Sequence, residues 1–409
     1  MLTPISNRPI PNAWGSRTLI ADLEGRAPSG DPEAEVWFGD HPGSPARVED
    51  GSGRTLDAVT AAEGAPLPYL LKLLAAASTL SIQVHPSKTQ AEEGFAREDA
   101  AGLDRNAGAR NYRDENHKPE LIVALSDRFE ALAGLRDLAA TQRLVAALGD
   151  SAGPRALAGH LGAGADADAL ADTVAWVLSG APEVADIIAA ARSAHSREFA
   201  GELAVARRLS DAYPGDPGVV VALLMNLVVL HRGEALFVRA GALHAYLSGL
   251  GVELMAASDN VLRGGLTPKH IDVDELRLIL DATPGPAPVL APAVIAEGVE
   301  AFAPVGIPDF LLLRVTMPTG ASAPSAVARS GAEKGGAASP EDATARRVTI
   351  TGPAIVLVTG GAVTVRASAS GTTVDLTPGA AVFATADEGE LVFTGSGEAF
   401  VAQPGVAAG

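Results

Sequence analysis

Side chains that can bind a metal, move a proton or hold an anion are concentrated between residues 241 and 272. An ordinary core segment does not carry so many ionisable groups, because a buried charge without a partner is costly. Five of these side chains are one histidine, two carboxylates and two cations: His244, Glu253, Asp259, Arg263 and Lys269. We therefore expect this stretch to form part of a functional site.

Two earlier stretches add residues of the same kind. In residues 80–85 apolar and polar positions alternate, which is typical of a β-strand with two different faces. Ser81, Gln83 and His85 share the polar face, and this face is predicted to look into a cavity because the segment follows an apolar run. Glu120 begins a second strand, within residues 111–125.

The spacing of these residues is compatible with a metal site. Gln83 and His85 lie two apart on one strand, so both side chains can point at one ion. Together with Glu120 and His244 they offer two imidazoles, one carboxylate and one amide, a set that Zn²⁺ fits best, although Fe²⁺ and Mn²⁺ stay open. An amide is an uncommon ligand, so spacing alone does not single out Gln83. A thiolate site is excluded, because the chain has no cysteine.

Each of these residues also has a purely structural interpretation. A single histidine on a strand, such as His85 or His244, is more often a hydrogen-bonded structural residue than a ligand. Glu253 differs, because it lies in the apolar run GVELMAA, where an unpartnered carboxylate would cost several kcal/mol. A functional or paired role is therefore favoured for Glu253.

Composition limits the classes of partner. The chain has 409 residues, of which 47% are hydrophobic and 20% charged, so two or three folded domains are expected. Its 31 basic and 49 acidic residues give a net charge of −18, which argues against nucleic acid and against anionic membranes. There is no apolar run near 20 residues and no leader-like start, so a soluble cytoplasmic protein is predicted.

Residue patterns divide the chain into regions. Short apolar runs between turn residues predict strands in residues 1–133 and 231–290, whereas Ala and Leu at helical spacing predict four or five helices within an inserted domain, residues 134–230. Residues 291–409 read as a second β domain, which has no histidine and is predicted to lack a metal site. Its low-complexity segment, residues 320–342, is predicted to be an exposed loop.

Four segments in this order resemble type I phosphomannose isomerases, a family of the cupin superfamily: QVHPSK, DENHKPE, GEALFVRAGALHAYLSG and MAASDNVLRGGLTPKHID. The resemblance covers residues 1 to about 280 well and the remainder only in outline. It implies a mainly β fold with helices: a cupin jelly-roll catalytic domain interrupted by a helical domain, then a second, jelly-roll-like domain at the C-terminus.

The resemblance also implies roles for individual residues. One zinc ion per chain would be held by Gln83, His85, Glu120 and His244. Arg263 would be the active-site arginine, and four further residues become candidates for proton transfer: Glu253, Lys118, His117 and Asp259. Ser81, Lys72 and Lys269 are predicted to contact the phosphate.

The activity that the resemblance implies is the interconversion of mannose 6-phosphate and fructose 6-phosphate through an enediol or enediolate. The partner would then be a small phosphorylated sugar, and a monomer or weak homo-oligomer is expected. Two alternatives are a non-catalytic, metal-stabilised bicupin that binds or senses sugars and a cupin oxygenase that uses Fe²⁺. The first does not require Arg263, Glu253 and Lys118, and the second does not explain the basic residues.

Overall fold

A computed structural model of the chain describes residues 1–318 and 345–405. It is mainly β with helices, as predicted. The predicted low-complexity loop, residues 320–342, lies outside the described residues. None of the described helices combines the length and the apolar character that crossing a membrane requires.

The strands of the described residues, in chain order, are β1 (Leu2–Ser6), β2 (Glu35–Phe38), β3 (Arg47–Val48), β4 (Tyr69–Ala76), β5 (Gln83–Val84), β6 (Glu120–Ala124), β7 (Phe129–Leu135), β8 (Met225–Leu230), β9 (Ala235–Val238), β10 (His244–Ala256), β11 (Leu262–Arg263), β12 (Val289–Leu290), β13 (Ala293–Ala296), β14 (Val299–Phe302), β15 (Leu311–Met317), β16 (Arg346–Thr349), β17 (Ala354–Ala367), β18 (Thr373–Leu376), β19 (Ala381–Ala384) and β20 (Glu390–Gln403).

The helices of the same residues are α1 (Leu19–Glu24), α2 (Leu56–Glu63), α3 (Lys88–Ala100), α4 (Leu138–Ala146), α5 (Ala152–Leu161), α6 (Asp166–Leu178), α7 (Val184–Ser193), α8 (Ala200–Ala212), α9 (Gly218–Leu224), α10 (Val273–Ile279) and a short 3-10 turn, Ala386–Glu388.

The chain divides into two compact units, and the first comprises residues 1–12, 17–74 and 291–409. Its main sheet follows the order β13-β14-β15-β20-β17-β19-β1-β3, with antiparallel neighbours. The long strands β17 and β20 pair along most of their length. Apolar residues of alternate positions, such as Val356, Val358 and Val401, form a buried core on this sheet.

The second unit comprises residues 13–16 and 75–290. Its strands follow the order β11-β5-β10-β6-β9-β12. β10 is the central strand: its first half pairs with β5 and β7, its second half with β6, and every residue except Ser248 is buried. A register irregularity between Tyr246 and Ser248 separates the two halves.

The helices α4–α9 lie in sequence between β7 and β8, which pair with each other, so the helical region is inserted into a strand pair. The structure has six helices here rather than the predicted four or five. The prediction missed α5, because Gly153 and Pro154 resemble a helix stop; they occupy its first turn, where proline's missing N–H is tolerated. The end of the predicted helical region, residues 218–230, forms α9 followed directly by β8 rather than helix throughout.

The compact units and the predicted domains share one boundary. The second unit ends at Leu290, where the C-terminal β domain was predicted to begin, and it contains the helical insertion. Most of residues 1–74, predicted to belong to the catalytic domain, group with residues 291–409. The division into three domains stays a prediction.

Candidate metal centre

Three side chains predicted as metal ligands converge in the second unit. The ligand atoms of His85, Glu120 and His244 all lie within 4.8 Å of one another, and the three residues are buried. Nε2 of His85 is 3.2 Å from Oε1 of Glu120, and Nε2 of His244 is 3.2 Å from Oε2 of the same carboxylate. The predicted grouping of these three residues is confirmed.

Strand register explains why residues so distant in sequence meet. Gln83 on β5 lies opposite His244 on β10 and, on its other side, opposite Arg263 on β11. Directly opposed residues of antiparallel strands project to the same face, so these three side chains share one face of the sheet. His85 is two residues after Gln83 and therefore follows on that face.

Hydrogen bonds to the far side of each ring orient the two histidines. Nδ1 of His85 lies 2.7 Å from the carbonyl oxygen of Asn260, and Nδ1 of His244 lies 3.2 Å from that of Ala242. Because a carbonyl oxygen only accepts, Nδ1 carries the proton and Nε2 presents a lone pair. Burial also lowers the pKa of His85 to about 4, so its ring is neutral at pH 7.

The donor atoms fit a metal ion. Among the described residues, Nε2 of His85 is buried and has no hydrogen-bond partner, an arrangement that costs free energy unless another group binds that nitrogen. Burial alone would raise the pKa of Glu120, but the positive charge of Lys118, with Nζ 3.1 Å from Oε1, holds it well below its usual range. An ionised carboxylate and two imidazoles are ligands that Zn²⁺ prefers, with positions left open.

A second buried carboxylate lies beside this group. Glu253 on β10 is opposite Ile122 on β6, two residues beyond Glu120, so both carboxylates share one face. Burial, with Glu253 and Glu120, raises the pKa of Tyr246 well above its ordinary value, so this phenol keeps its proton. Tyr246 was not among the predicted site residues, although it stands two residues after His244.

Cations form a third group, at Arg263, Lys269 and Arg113. The pKa of Arg263 is lowered mainly by burial and, second, by the charge of Arg113. The pKa of Lys269 is lowered mainly by the charge of Arg263, then by burial and then by the charge of Arg113. No carboxylate in residues 1–318 or 345–405 forms an ion pair with these three side chains. Arg113 was not predicted, because an arginine in a polar loop looks like an ordinary surface residue.

The other predicted residues occupy varied positions. Asp259 is exposed and His117 half-buried, while the hydroxyl of half-buried Ser81 lies 3.4 Å from Nε2 of Gln83. Lys72 is buried in the first unit, where Nζ lies 3.3 Å from Oε1 of Glu35. The roles assigned to these four residues, and the role of Gln83 as a fourth ligand, stay predictions.

Asn260 is a buried residue that the sequence analysis missed. Its Oδ1 accepts a hydrogen bond from the backbone N–H of Arg113 at 2.6 Å, and its Nδ2 donates to the carbonyl oxygens of Asp114 and Asn116, each at 2.8 Å. Its own carbonyl oxygen accepts from His85. Asn260 thus joins the loop of residues 113–116 to His85 of the candidate metal centre.

The chain is similar in sequence and structure to known isomerases. The family model of the phosphomannose isomerase type I catalytic domain matches residues 4–138. Mannose-6-phosphate isomerase of Salmonella typhimurium is 40% identical over 314 residues, covering 73% of this chain and 79% of the relative. The chain belongs to the mannose-6-phosphate isomerase family.

Other relatives and solved structures of the family support the assignment. The mannose-6-phosphate isomerase of Rattus norvegicus is 32% identical over 323 residues, covering 70% of this chain and 73% of that protein. A crystal structure of a phosphomannose isomerase variant from Salmonella typhimurium matches with a TM-score of 0.85 and 31% identity, covering 99% of this chain and 100% of the other. A zinc-bound mannose 6-phosphate isomerase matches with a TM-score of 0.83 and 31% identity at the same coverage.

Replacing Asn260 by alanine is expected to weaken metal binding by about 10–100-fold, because the segment whose carbonyl orients His85 loses its anchors. Competition with a chromogenic chelator measures the affinity. Asn7→Ala is the matched control: its Nδ2 also donates to carbonyl oxygens, those of Trp37 at 2.9 Å and Ser44 at 2.8 Å, and all three residues belong to the first unit. Equal metal affinities in the two variants would contradict the role given to Asn260.

Proposed function

We propose that this protein interconverts mannose 6-phosphate and fructose 6-phosphate, with one Zn²⁺ held by Gln83, His85, Glu120 and His244. The observation that carries the proposal is the buried group of two imidazoles and a carboxylate on a sheet face shared with Arg263. The names of the relatives supply the substrate, and the zinc-bound neighbour supplies the metal.

The chemical difficulty is the weak acidity of a C–H bond beside a carbonyl group. Isomerisation removes the proton from one sugar carbon and returns it to the neighbouring carbon, so negative charge develops on the adjacent oxygens. When bound, a zinc ion supplies Lewis-acid polarisation of the sugar oxygens. The chain must supply the remaining charge stabilisation, the proton transfer and the grip on the phosphate.

Arg263 is suited to stabilise the developing negative charge. It is half-buried, and it lies on β11 opposite Gln83, which places it on the face that also carries His244. A guanidinium stays charged at any working pH and offers several donors in a fixed plane. In a partly desolvated site such a donor acts most strongly on charge that appears only in the transition state.

We assign proton transfer between the two sugar carbons to Glu253. Glu253 is buried and lies on the same sheet face as Glu120. Unlike Glu120, it does not belong to the group of three candidate metal ligands, so its carboxylate can accept a proton. Of the other candidates, Lys118 is engaged by Glu120 at 3.1 Å, and Asp259 is exposed. We assign the half-buried His117 to opening of the sugar ring rather than to proton transfer between the two carbons.

The phosphate is assigned to Lys269, with Ser81 as a neutral contact near Gln83. Lys269 belongs to the cation group that has no carboxylate partner among the described residues. Lys72 can contribute little, because binding a phosphate would compete with its buried ion pair with Glu35. A net charge of −18 makes such a local cation group necessary for an anionic substrate.

The setting of the reaction completes the proposal. The partner is a small phosphorylated sugar, and no nucleic acid or membrane takes part. We place the reaction in the cytoplasm, because charged sugar phosphates do not cross membranes unaided, and we expect a monomer or a weak homo-oligomer.

Arg263→Ala is expected to lower kcat with mannose 6-phosphate by about 10²–10³-fold, because it removes a donor aimed at developing charge. A coupled assay that follows fructose 6-phosphate measures the rate, and metal content and thermal unfolding should match the wild type. Arg277→Ala is the control, an exposed arginine on α10 that pairs with Asp172. Unchanged turnover in Arg263→Ala would remove the electrostatic role.

Glu253→Gln is expected to lower both isomerisation and the wash-in of deuterium from D₂O at the reacting carbons by about 10²–10⁴-fold, because the proton acceptor is lost. Proton NMR of the sugar measures the exchange, and retained metal shows that the centre is intact. The matched variant Asp259→Asn alters an exposed carboxylate. If exchange survives in Glu253→Gln and disappears in Asp259→Asn, the base is Asp259.

A further inference from the structure

The loop of residues 111–116, between α3 and β6, is fixed to the segment that leads into β11. Asp114 accepts hydrogen bonds from the hydroxyl of Ser258 at 2.8 Å and from the backbone N–H of Asp259 at 2.7 Å. Asn260 holds the backbone N–H of Arg113 at 2.6 Å. The starting point of the Arg113 side chain is therefore set relative to the segment that carries Arg263, three residues after Asn260.

Arg113 differs from the other arginine of its neighbourhood. Arg110 is buried, and its guanidinium is paired with Glu98 at 3.3 Å and with Asp99 at 2.7 Å. Arg113 is exposed, and no carboxylate of residues 1–318 or 345–405 forms an ion pair with it. Carboxylates of α3 thus neutralise Arg110, whereas Arg113 forms no ion pair with the described carboxylates.

The charge of Arg113 acts on both Arg263 and Lys269, whose pKa values it helps to lower. Gathering three like charges without a counter-ion costs free energy. In a chain with 49 acidic and 31 basic residues, acidic partners are abundant, so it is unusual that the described part of the chain supplies none here. A bound dianion would offset two of these three positive charges.

We propose that Arg113 is a specificity-determining residue that binds the phosphate group of the substrate together with Lys269, beside Arg263. The guanidinium can offer two parallel N–H donors to two phosphate oxygens, a geometry that a lysine cannot match. Arg113 thereby favours a dianionic phosphorylated sugar over the neutral sugar. The identity of the sugar rests on the proposed function, whereas the anion site itself does not.

The test uses the metal-loaded full chain and the variants Arg113→Met and Arg113→Lys. Methionine keeps much of the apolar stem of the arginine and removes the charge. Because Arg113 is exposed, this substitution is expected to leave the fold unaffected. The matched control is Arg105→Met, an exposed arginine eight residues earlier whose guanidinium lies 3.6 Å from Asp99. The measurements are KM and kcat with mannose 6-phosphate and, by calorimetry, the affinity for inorganic phosphate as the probe.

Arg113→Met is expected to raise KM and to weaken inorganic phosphate binding by about 10–100-fold, because a charge-assisted contact is lost. The value of kcat should change by less than about threefold. Arg113→Lys should restore part of the loss, and Arg105→Met should match the wild type. A purely structural role would instead lower thermal stability and kcat and leave the phosphate affinity unchanged.

Unchanged KM and unchanged phosphate affinity in Arg113→Met would overturn the proposal. Failure of the proposed function has a different signature, since the wild type would then not isomerise mannose 6-phosphate at all. In that case the calorimetric comparison still decides about Arg113. Phosphate binding to the wild type that Arg113→Met does not weaken would place the anion elsewhere.

Discussion

The rest of the site depends on how the buried, ionised carboxylate of Glu120 is compensated by its neighbours. A carboxylate taken out of water costs several kcal/mol unless other charges and hydrogen bonds compensate it. Lys118 lies 3.1 Å from it, and the Nε2 atoms of His85 and His244 lie 3.2 Å away. Two of these partners are imidazoles whose Nε2 atoms face the carboxylate, so a cation bound among the three side chains would satisfy all of them.

The surrounding architecture serves to keep that arrangement rigid. β5 is only two residues long, yet it lies between β10 and β11 and so fixes Gln83 beside His244 and Arg263. Asn260 adds a second link, because one residue holds both the ring of His85 and the loop of Arg113. The metal side and the anion side of the site are therefore coupled through a few hydrogen bonds, which suits a reaction that must align a sugar between them.

Much of this could be predicted from the sequence, because local patterns encode it. The alternation in residues 80–85 placed His85 on a polar face, and an isolated glutamate in an apolar run identified Glu253 as unusual. Asn260 and Tyr246 were missed because their importance lies in neighbours more than a hundred residues away, Arg113 and Glu120 respectively. Arg113 was missed because what distinguishes it is that no described carboxylate pairs with it. Likewise, nothing near Lys72 in the sequence indicates that Glu35 neutralises it.

The central claim is that His85, Glu120 and His244 hold one zinc ion that the isomerase reaction requires. The most direct measurement is zinc per chain, by inductively coupled plasma mass spectrometry, followed alongside isomerase activity during chelation and readdition of Zn²⁺. We expect about one zinc per chain, isomerase activity that falls and returns in proportion to the bound zinc, and no retained zinc in His244→Ala. Full isomerase activity in a zinc-free protein, or full zinc occupancy in His244→Ala, would contradict it.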